Sequence, residues 1–254
     1  MNVCHRVRHL WKAANSESDY QDAYYPTSEA RATEGNLMRY AVADGASEAL
    51  FSGSWAKTLT AAWSEHRLNF DDGVQGQLRQ LSADWAESID STNFPWWAEE
   101  KLRQGSFSTL TGIELELAEG VARWSVVAVG DSCFFHVRRG EVIEYGPVMR
   151  SSDFASRPYL IGTHARSSSD LALHTNRYYG QLEPGDEFFL LTDALSAWFI
   201  SQFEQRGTYA NFSGQLERAV TDQHLFFEWI ADLRRNQHIR DDDVTCLWVL
   251  VTEL

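Results

Sequence analysis

The sequence predicts an α+β protein in which sheets and helices fall into separate layers. Three observations carry this: short apolar runs rich in β-branched and aromatic residues, intervening stretches whose apolar residues recur at helical spacing, and a chain order that partly segregates the two. A strand or extension is expected within residues 1–19, where basic and polar residues interrupt every short apolar run. The first clear strand is Leu37 to Ala43 (LMRYAVA). Trp55, Leu59, Ala62 and Trp63 then fall at i, i+4, i+7 and i+8, one face of a helix with Ser52 or Ser54 as its cap. Leu78, Leu81, Trp85 and Ile89 form a second stripe over Gln75 to Ile89.

The middle of the chain returns to strands. These are Gly112 to Leu117, Trp124 to Val129, and Cys133 to Val137, the last joined through a turn at Gly140 to Glu141 to Tyr145. Glu187 to Thr192 (EFFLLT) is a further strand. Leu216, Val220, Phe227, Ile230 and Leu233 predict one helical stretch over Gln215 to Arg235, and Val244 to Val251 (VTCLWVLV) closes the chain.

The chain has 254 residues and only five prolines, with no linker-like tract, so one domain over 1–254 is the expectation. Its 22 basic and 36 acidic side chains give a net charge of −14. That excess offers no general attraction to phosphate backbones or anionic membranes, which argues against nucleic-acid and membrane partners. Cys4, Cys133 and Cys246 are odd in number and far apart, which suggests neither a disulfide framework nor a zinc knuckle. With no signal-peptide core and no apolar run of roughly 18 to 20 residues, a cytoplasmic location is expected.

The acids are unevenly placed. Asp44 follows LMRYAVA, Asp131 follows WSVVAVG, Asp193 follows EFFLLT, and Asp242 lies just before VTCLWVLV. Any one of them alone is equally well an ordinary turn residue. If the four strands are neighbours, however, the four carboxylates meet. Two such charges about 4 Å apart repel by roughly 4 kcal/mol at an effective dielectric near 20. The cluster would then be partly protonated or hold a hard cation such as magnesium or manganese, with the glycine after Asp44 letting a backbone carbonyl approach. The chemistry most often built on two such ions is in-line attack on a phosphate ester.

In order and separation, these segments resemble the metal-dependent protein phosphatase 2C family, in its bacterial form. AVADGAS at 41–47 is similar to the family's first Asp-Gly segment, and FSGSWAKTL after it to the helix that follows. VAVGDS at 127–132 resembles the Gly-Asp-Ser turn, EPGDEFFLLTDA at 183–194 the segment ending in Ser/Thr-Asp-Gly, and RDDDVTCLWV at 240–249 the closing strand. QDA at 21–23 matches an early acidic element. The resemblance implies a four-layer α-β-β-α sandwich with a binuclear manganese or magnesium site at one end. Asp44 would bridge the ions, Asp193 and Asp242 would hold one of them, and the Gly45 carbonyl would bind the other. Asp22 would act through water, and Asp131 with Asp193 would form a third, weaker site. The implied reaction is hydrolysis of phosphoserine or phosphothreonine in protein substrates by a bridging hydroxide, opposing a serine/threonine kinase.

Three departures stand out. Ala46 occupies the place of a general-acid histidine, Glu17 that of a phosphate-gripping arginine, and Ala194 that of a glycine. Arg6, Arg8 and Lys12 are the substitutes considered for the arginine. Its loss supports an alternative reading, an inactive pseudophosphatase serving as a partner-binding module. Retention of Asp22, Asp44, Asp131, Asp193 and Asp242 argues for the enzyme, since a metal-free carboxylate cluster destabilises a fold without gain. Other features point elsewhere. Ser132 in Gly-Asp-Ser would be an esterase nucleophile, but it lies mid-chain before a strand rather than before a helix. His5 and His9 form a poor metal pair beside Arg6 and Arg8. Phe94 to Trp97 reads as packing of outer helices onto a sheet or as an aromatic anchor for a partner. Arg234, Arg235, Arg240 and His238 either attract a phosphorylated substrate or balance the Asp241 to Asp243 run.

Overall fold

A computed structural model describes residues 1–27, 37–71, 73–89, 96–118, 120–164, 170–206 and 210–253. Phe94, Pro95 and the Ser167 to Ser169 run lie outside the described residues. In chain order the strands are β1 (Asn2–Leu10), β2 (Asp22–Tyr25), β3 (Leu37–Asp44), β4 (Phe107–Ser108), β5 (Leu110–Ala118) and β6 (Val121–Val129). They continue as β7 (Cys133–Arg138), β8 (Glu141–Gly146), β9 (Ile161–Gly162), β10 (Asn176–Gln181), β11 (Glu187–Leu191) and β12 (Val244–Thr252). The α-helices are α1 (Ser52–Ser64), α2 (Val74–Ser88), α3 (Trp96–Gln104), α4 (Asp193–Arg206), α5 (Ala210–Thr221) and α6 (Gln223–Arg235).

Two five-stranded antiparallel sheets result, one in the order β1-β12-β11-β7-β8 and the other β10-β6-β5-β3-β2. Their layering follows from the period of two along each strand. Phe188 and Leu190 of β11 join Leu247 and Val249 of β12, Val42 of β3 and Val126 of β6 in a core between the sheets. Their neighbours Phe189, Leu191 and Cys246 face the opposite way, into a core with Leu195, Phe199, Val220, Phe226 and Ile230 from α4, α5 and α6. On the other sheet, Ala41, Ala43 and Val127 meet Trp55, Leu59 and Trp63 of α1 and Leu81 and Trp85 of α2. Three cores thus separate four layers, the α-β-β-α sandwich. The residues Phe188 to Leu191 are all fully buried, each contributing roughly 1.5–3 kcal/mol, which is why β11 reads as an unbroken apolar run.

Several expectations need correction. Helix α1 starts at Ser52 without a side-chain cap; Phe51 holds the cap position in the left-handed region, and Ser52 Oγ donates instead to the Ala46 and Ala49 carbonyls. The stretch 215–235 is two helices, not one. Asp222 adopts an extended conformation and accepts from His224 N and Leu225 N, capping α6. Strand β10 and helix α4 carry no clear sequence signal: β10 reads NRYYGQ with alternately exposed positions, and α4 is apolar on most of its first two turns. The hairpin at Gly140 forms as expected, with Arg138 paired to Glu141 across a two-residue loop. No described helix is long and apolar enough to cross a membrane.

Candidate functional site

Strand direction collects the acids at one end of the sandwich. Both β3 and β6 run antiparallel to β5, so their C-termini lie at the same end, and pairing of β11 with β12 sets the end of one beside the start of the other. Asp44, Asp131, Asp193 and Asp242 accordingly wall a single cleft of about 580 Å³. Asp22 is the direct partner of Asp44 across the β2–β3 ladder, but it is 1% exposed and is not part of the cleft wall.

Two glycines fix the backbone that carries these acids. A Cβ on Gly45 would come within 2.6 Å of the Ser52 carbonyl carbon and 2.7 Å of the Gln21 oxygen, so the turn after Asp44 can approach β2 and α1 only without a side chain. Gly130 has φ of +100° and lies against Thr109, whose Cγ2 a Cβ would meet at 2.5 Å. Thr109 in turn receives the Asp44 N–H on Oγ1 at 2.8 Å and donates its own N–H to the Asp44 carbonyl at 2.9 Å. Its hydroxyl also bonds Ser132 Oγ at 2.7 Å. Ser132 is fully buried and tied down there, which removes it as an esterase nucleophile.

Behind the cleft a hydroxyl network orients Asp22. Its Oδ2 accepts from Thr192 Oγ1 at 2.9 Å and from Thr245 Oγ1 at 2.7 Å. Thr245 has one hydroxyl proton and gives it to Asp22, so the close contact with Tyr20 is a bond donated by the phenol to Thr245. Thr192 Oγ1 likewise accepts the Thr245 N–H at 2.9 Å. The two threonine hydroxyls thus converge on one carboxylate oxygen. The other, Oδ1, is buried with no hydrogen-bond partner among the described residues, and the same holds for Asp193 Oδ1.

The run Asp241 to Asp243 divides its labour. Asp243 receives Lys12 N at 3.0 Å and Gln21 N at 2.8 Å, joining the segments after β1 and before β2 to the start of β12. Asp241 receives Ala13 N and pairs with Arg234, whose guanidinium also donates to the Trp11 and Asp242 carbonyls. Asp242 is left facing the cleft. Arg234 is therefore a brace, and Arg235 an exposed partner of Asp232. His238 lines a neighbouring groove with Trp198 and Ile239.

The acids perturb one another. Burial, then the charges of Asp22, Asp193, Asp131 and Asp242, hold the Asp44 carboxyl well above the usual carboxylate range. Burial raises Asp22 similarly, only partly offset by its threonine donors. Asp193 is pushed up to about 7 by burial, then by Asp131 and Asp242, against the opposing pull of Arg240 and the Ala194 N–H. Asp131 is raised chiefly by burial.

The cations considered for the missing arginine separate clearly. Arg6 stacks over Trp248 at 5.5 Å and Arg8 donates to the Val7 carbonyl, and neither lines the cleft. Lys12 does reach the acids, with Nζ 2.9 Å from Asp242 Oδ1 and 2.8 Å from Ser47 Oγ. Glu17 lies in an exposed turn beside His9, away from the cleft. Ala46 lines the cleft with no proton to give. Ala194 needs no glycine: it is 2% exposed and packs in the helix-side core. Thr192, Thr245, Tyr20 and Asp243 escaped the sequence reading because Thr and Tyr inside apolar strands look like strand formers, and Asp243 like surface charge.

Among the described residues, no three carboxylate, histidine or cysteine groups converge closely enough to cage an ion as they stand. The donor set nonetheless fits a hard divalent cation. It is all oxygen, it is mutually repulsive, and two of its buried oxygens lack partners.

Solved structures share this fold over nearly the whole chain. The serine/threonine phosphatase PstP/Ppp of Mycobacterium tuberculosis matches with 16% identity and a TM-score of 0.59, covering 100% of both chains. The photosystem II phosphatase PBCP matches with 16% identity and a TM-score of 0.56, covering 99% of this chain and 100% of that one. The PPM serine/threonine phosphatase MsPP of Mycobacterium smegmatis, in complex with cacodylate, matches with 18% identity and a TM-score of 0.51, covering 98% of each. No family sequence model matches the chain, and no curated protein sequence does. The chain has the fold of the PPM-type phosphatases.

Proposed function

We propose that residues 1–254 form a metal-dependent serine/threonine protein phosphatase domain, hydrolysing phosphoserine or phosphothreonine in protein substrates and opposing a serine/threonine kinase. The observation that carries this reading is the meeting of Asp44, Asp131, Asp193 and Asp242 on one cleft, with unpartnered buried oxygens on Asp22 and Asp193. Asp44, Asp193, Asp242 and the Gly45 carbonyl would hold two manganese or magnesium ions, Asp22 would act through water, and Asp131 with Asp193 would offer a third position. A solved complex of the PstP catalytic domain with two manganese ions has the same fold, at 16% identity and a TM-score of 0.57. When bound, such ions supply Lewis-acid activation of water and neutralise charge on the phosphoryl group.

The chain's own groups do the rest. The Tyr20, Thr245 and Thr192 hydroxyls keep Asp22 from rotating, and Asp243 holds the segments around Lys12 and Gln21 against the start of β12. Ala46 leaves protonation of the departing alkoxide to solvent. The rival reading, an inactive binding module, draws support from Lys12 and Arg240, whose cations pair with Asp242 and Asp193.

Phosphate release from a phosphothreonine peptide, with manganese and after chelation, separates the two. The enzyme reading predicts metal-dependent turnover that Asp44→Asn and Asp193→Asn each lower by more than about a hundredfold. Wild-type activity no higher than that of the variants would leave only the binding module.

A further inference from the structure

A phosphate dianion entering this cleft meets carboxylates on its walls, and a side-chain cation there, beside any bound metal, offsets the repulsion where it docks. Among the described residues the cations lining the cleft are Lys101, Arg157 and Arg240. Lys101 is exposed, and Arg157 is 93% exposed and leans toward Glu48 at 3.9 Å. Arg240 reaches the acids themselves. Its Nη2 lies 3.3 Å from Asp193 Oδ2 and 3.3 Å from the Phe154 carbonyl.

Those two contacts are long. Charge-assisted bonds of this kind run about 2.7–2.9 Å. The molecule contains a locked arginine for comparison: Arg138 grips Asp186 through Nε at 2.6 Å and Nη2 at 2.8 Å, a bidentate fork. Arg240 has no such fork, and its side chain is 57% exposed. It is held in place loosely, with most of its five donors uncommitted by these contacts. Lys12 is less available, being committed to both Asp242 and Ser47 at normal distances and only 22% exposed.

We infer that Arg240 is the residue that grips the substrate phosphate, leaving Asp193 to take non-bridging phosphoryl oxygens on its planar fork. This rests on the phosphatase reading and supplies the cation that Glu17 does not. Arg240 enters the cleft from the loop before β12, at the opposite end of the chain from Glu17.

The test uses manganese-loaded protein and two probes, a phosphothreonine peptide and inorganic phosphate. Arg240→Met should raise KM and weaken orthophosphate binding, each by about tenfold or more, with kcat and manganese affinity little changed. Arg240→Lys should recover part of the loss, because it restores charge but not the fork. Arg157→Met should stay within about twofold on both probes, as expected of an exposed pair. Orthophosphate binding unchanged in Arg240→Met overturns the assignment, as does an equal loss of manganese affinity, which would make Arg240 a positioning residue for Asp193. Absence of wild-type turnover would sink the phosphatase reading instead, while the orthophosphate titration would still decide whether Arg240 binds phosphate.

Discussion

Asp22 and Asp44 are direct partners in the antiparallel pairing of β2 with β3, two carboxyl groups set opposite each other at the mouth of the ladder. Like charges at such positions destabilise a sheet by up to about 1 kcal/mol, and burial of Asp22 deepens the penalty. Replacing one of them should relieve it. In chelator, Asp44→Asn is expected to be more stable than wild type by roughly 1 kcal/mol, and so to unfold at a higher midpoint. On adding manganese the wild type should gain stability and the variant should not. A lower midpoint for Asp44→Asn in chelator would show that the pair is not strained.

The hydroxyl network behind Asp22 gives a second expectation. Thr192→Val keeps the side chain's shape but removes the donor to Asp22 Oδ2 and the acceptor for Thr245 N–H. Leaving those buried groups unmatched costs about 1–3 kcal/mol, read from urea unfolding. Thr192→Ser keeps the hydroxyl and should recover most of that loss. Equal loss in both variants would assign the effect to packing.

Gly45→Ala should destabilise by about 1–3 kcal/mol, because its Cβ meets backbone atoms of Ser52 and Gln21 rather than a movable side chain. Gly120→Ala is the control, since nothing lies within 4 Å of its Cβ, although its φ of +76° carries a smaller penalty of about 1 kcal/mol. Gly45 has no positive φ, so its loss must come from close approach; no measurable loss in Gly45→Ala would mean that the Ser52 and Gln21 backbone yields.

At the other end of β7, Asp186 is fully buried. Burial alone would raise its carboxyl, but the Arg138 fork, with His136 Nε2 3.2 Å away, holds it well below the usual carboxylate range. A depressed folded pKa gives stability that is whole above the free-chain value of about 3.9 and is lost as pH falls through the folded value. The stability gap between wild type and Asp186→Asn should therefore be level from neutral pH down to about 5 and shrink below about 4. A gap independent of pH would mean that the charge on Asp186 contributes nothing.

Much of the fold was legible because its strands are buried on both faces. Runs such as EFFLLT and VTCLWVLV announce themselves when both neighbours are hydrophobic layers. Helix α4 was missed for the same reason: with Leu195, Trp198, Phe199 and Ile200 all buried, it shows no polar stripe. The split at Asp222 was written in Thr-Asp before α6, a cap signal that the long apolar stripe masked. The positions of the acids were legible because strand ends are marked by Asp. Asp242, named from the sequence, lines the cleft; that its neighbour Asp243 is turned inward by the Lys12 and Gln21 N–H groups was not legible, since the two are adjacent and identical in type.

On the proposed reading, these carboxylates form a divalent-cation site. A calorimetric titration of purified protein with manganese tests it most directly. Wild type should bind about two ions, and Asp44→Asn and Asp193→Asn should each lose that binding. No binding to the wild type, or binding unaltered by both substitutions, would contradict it.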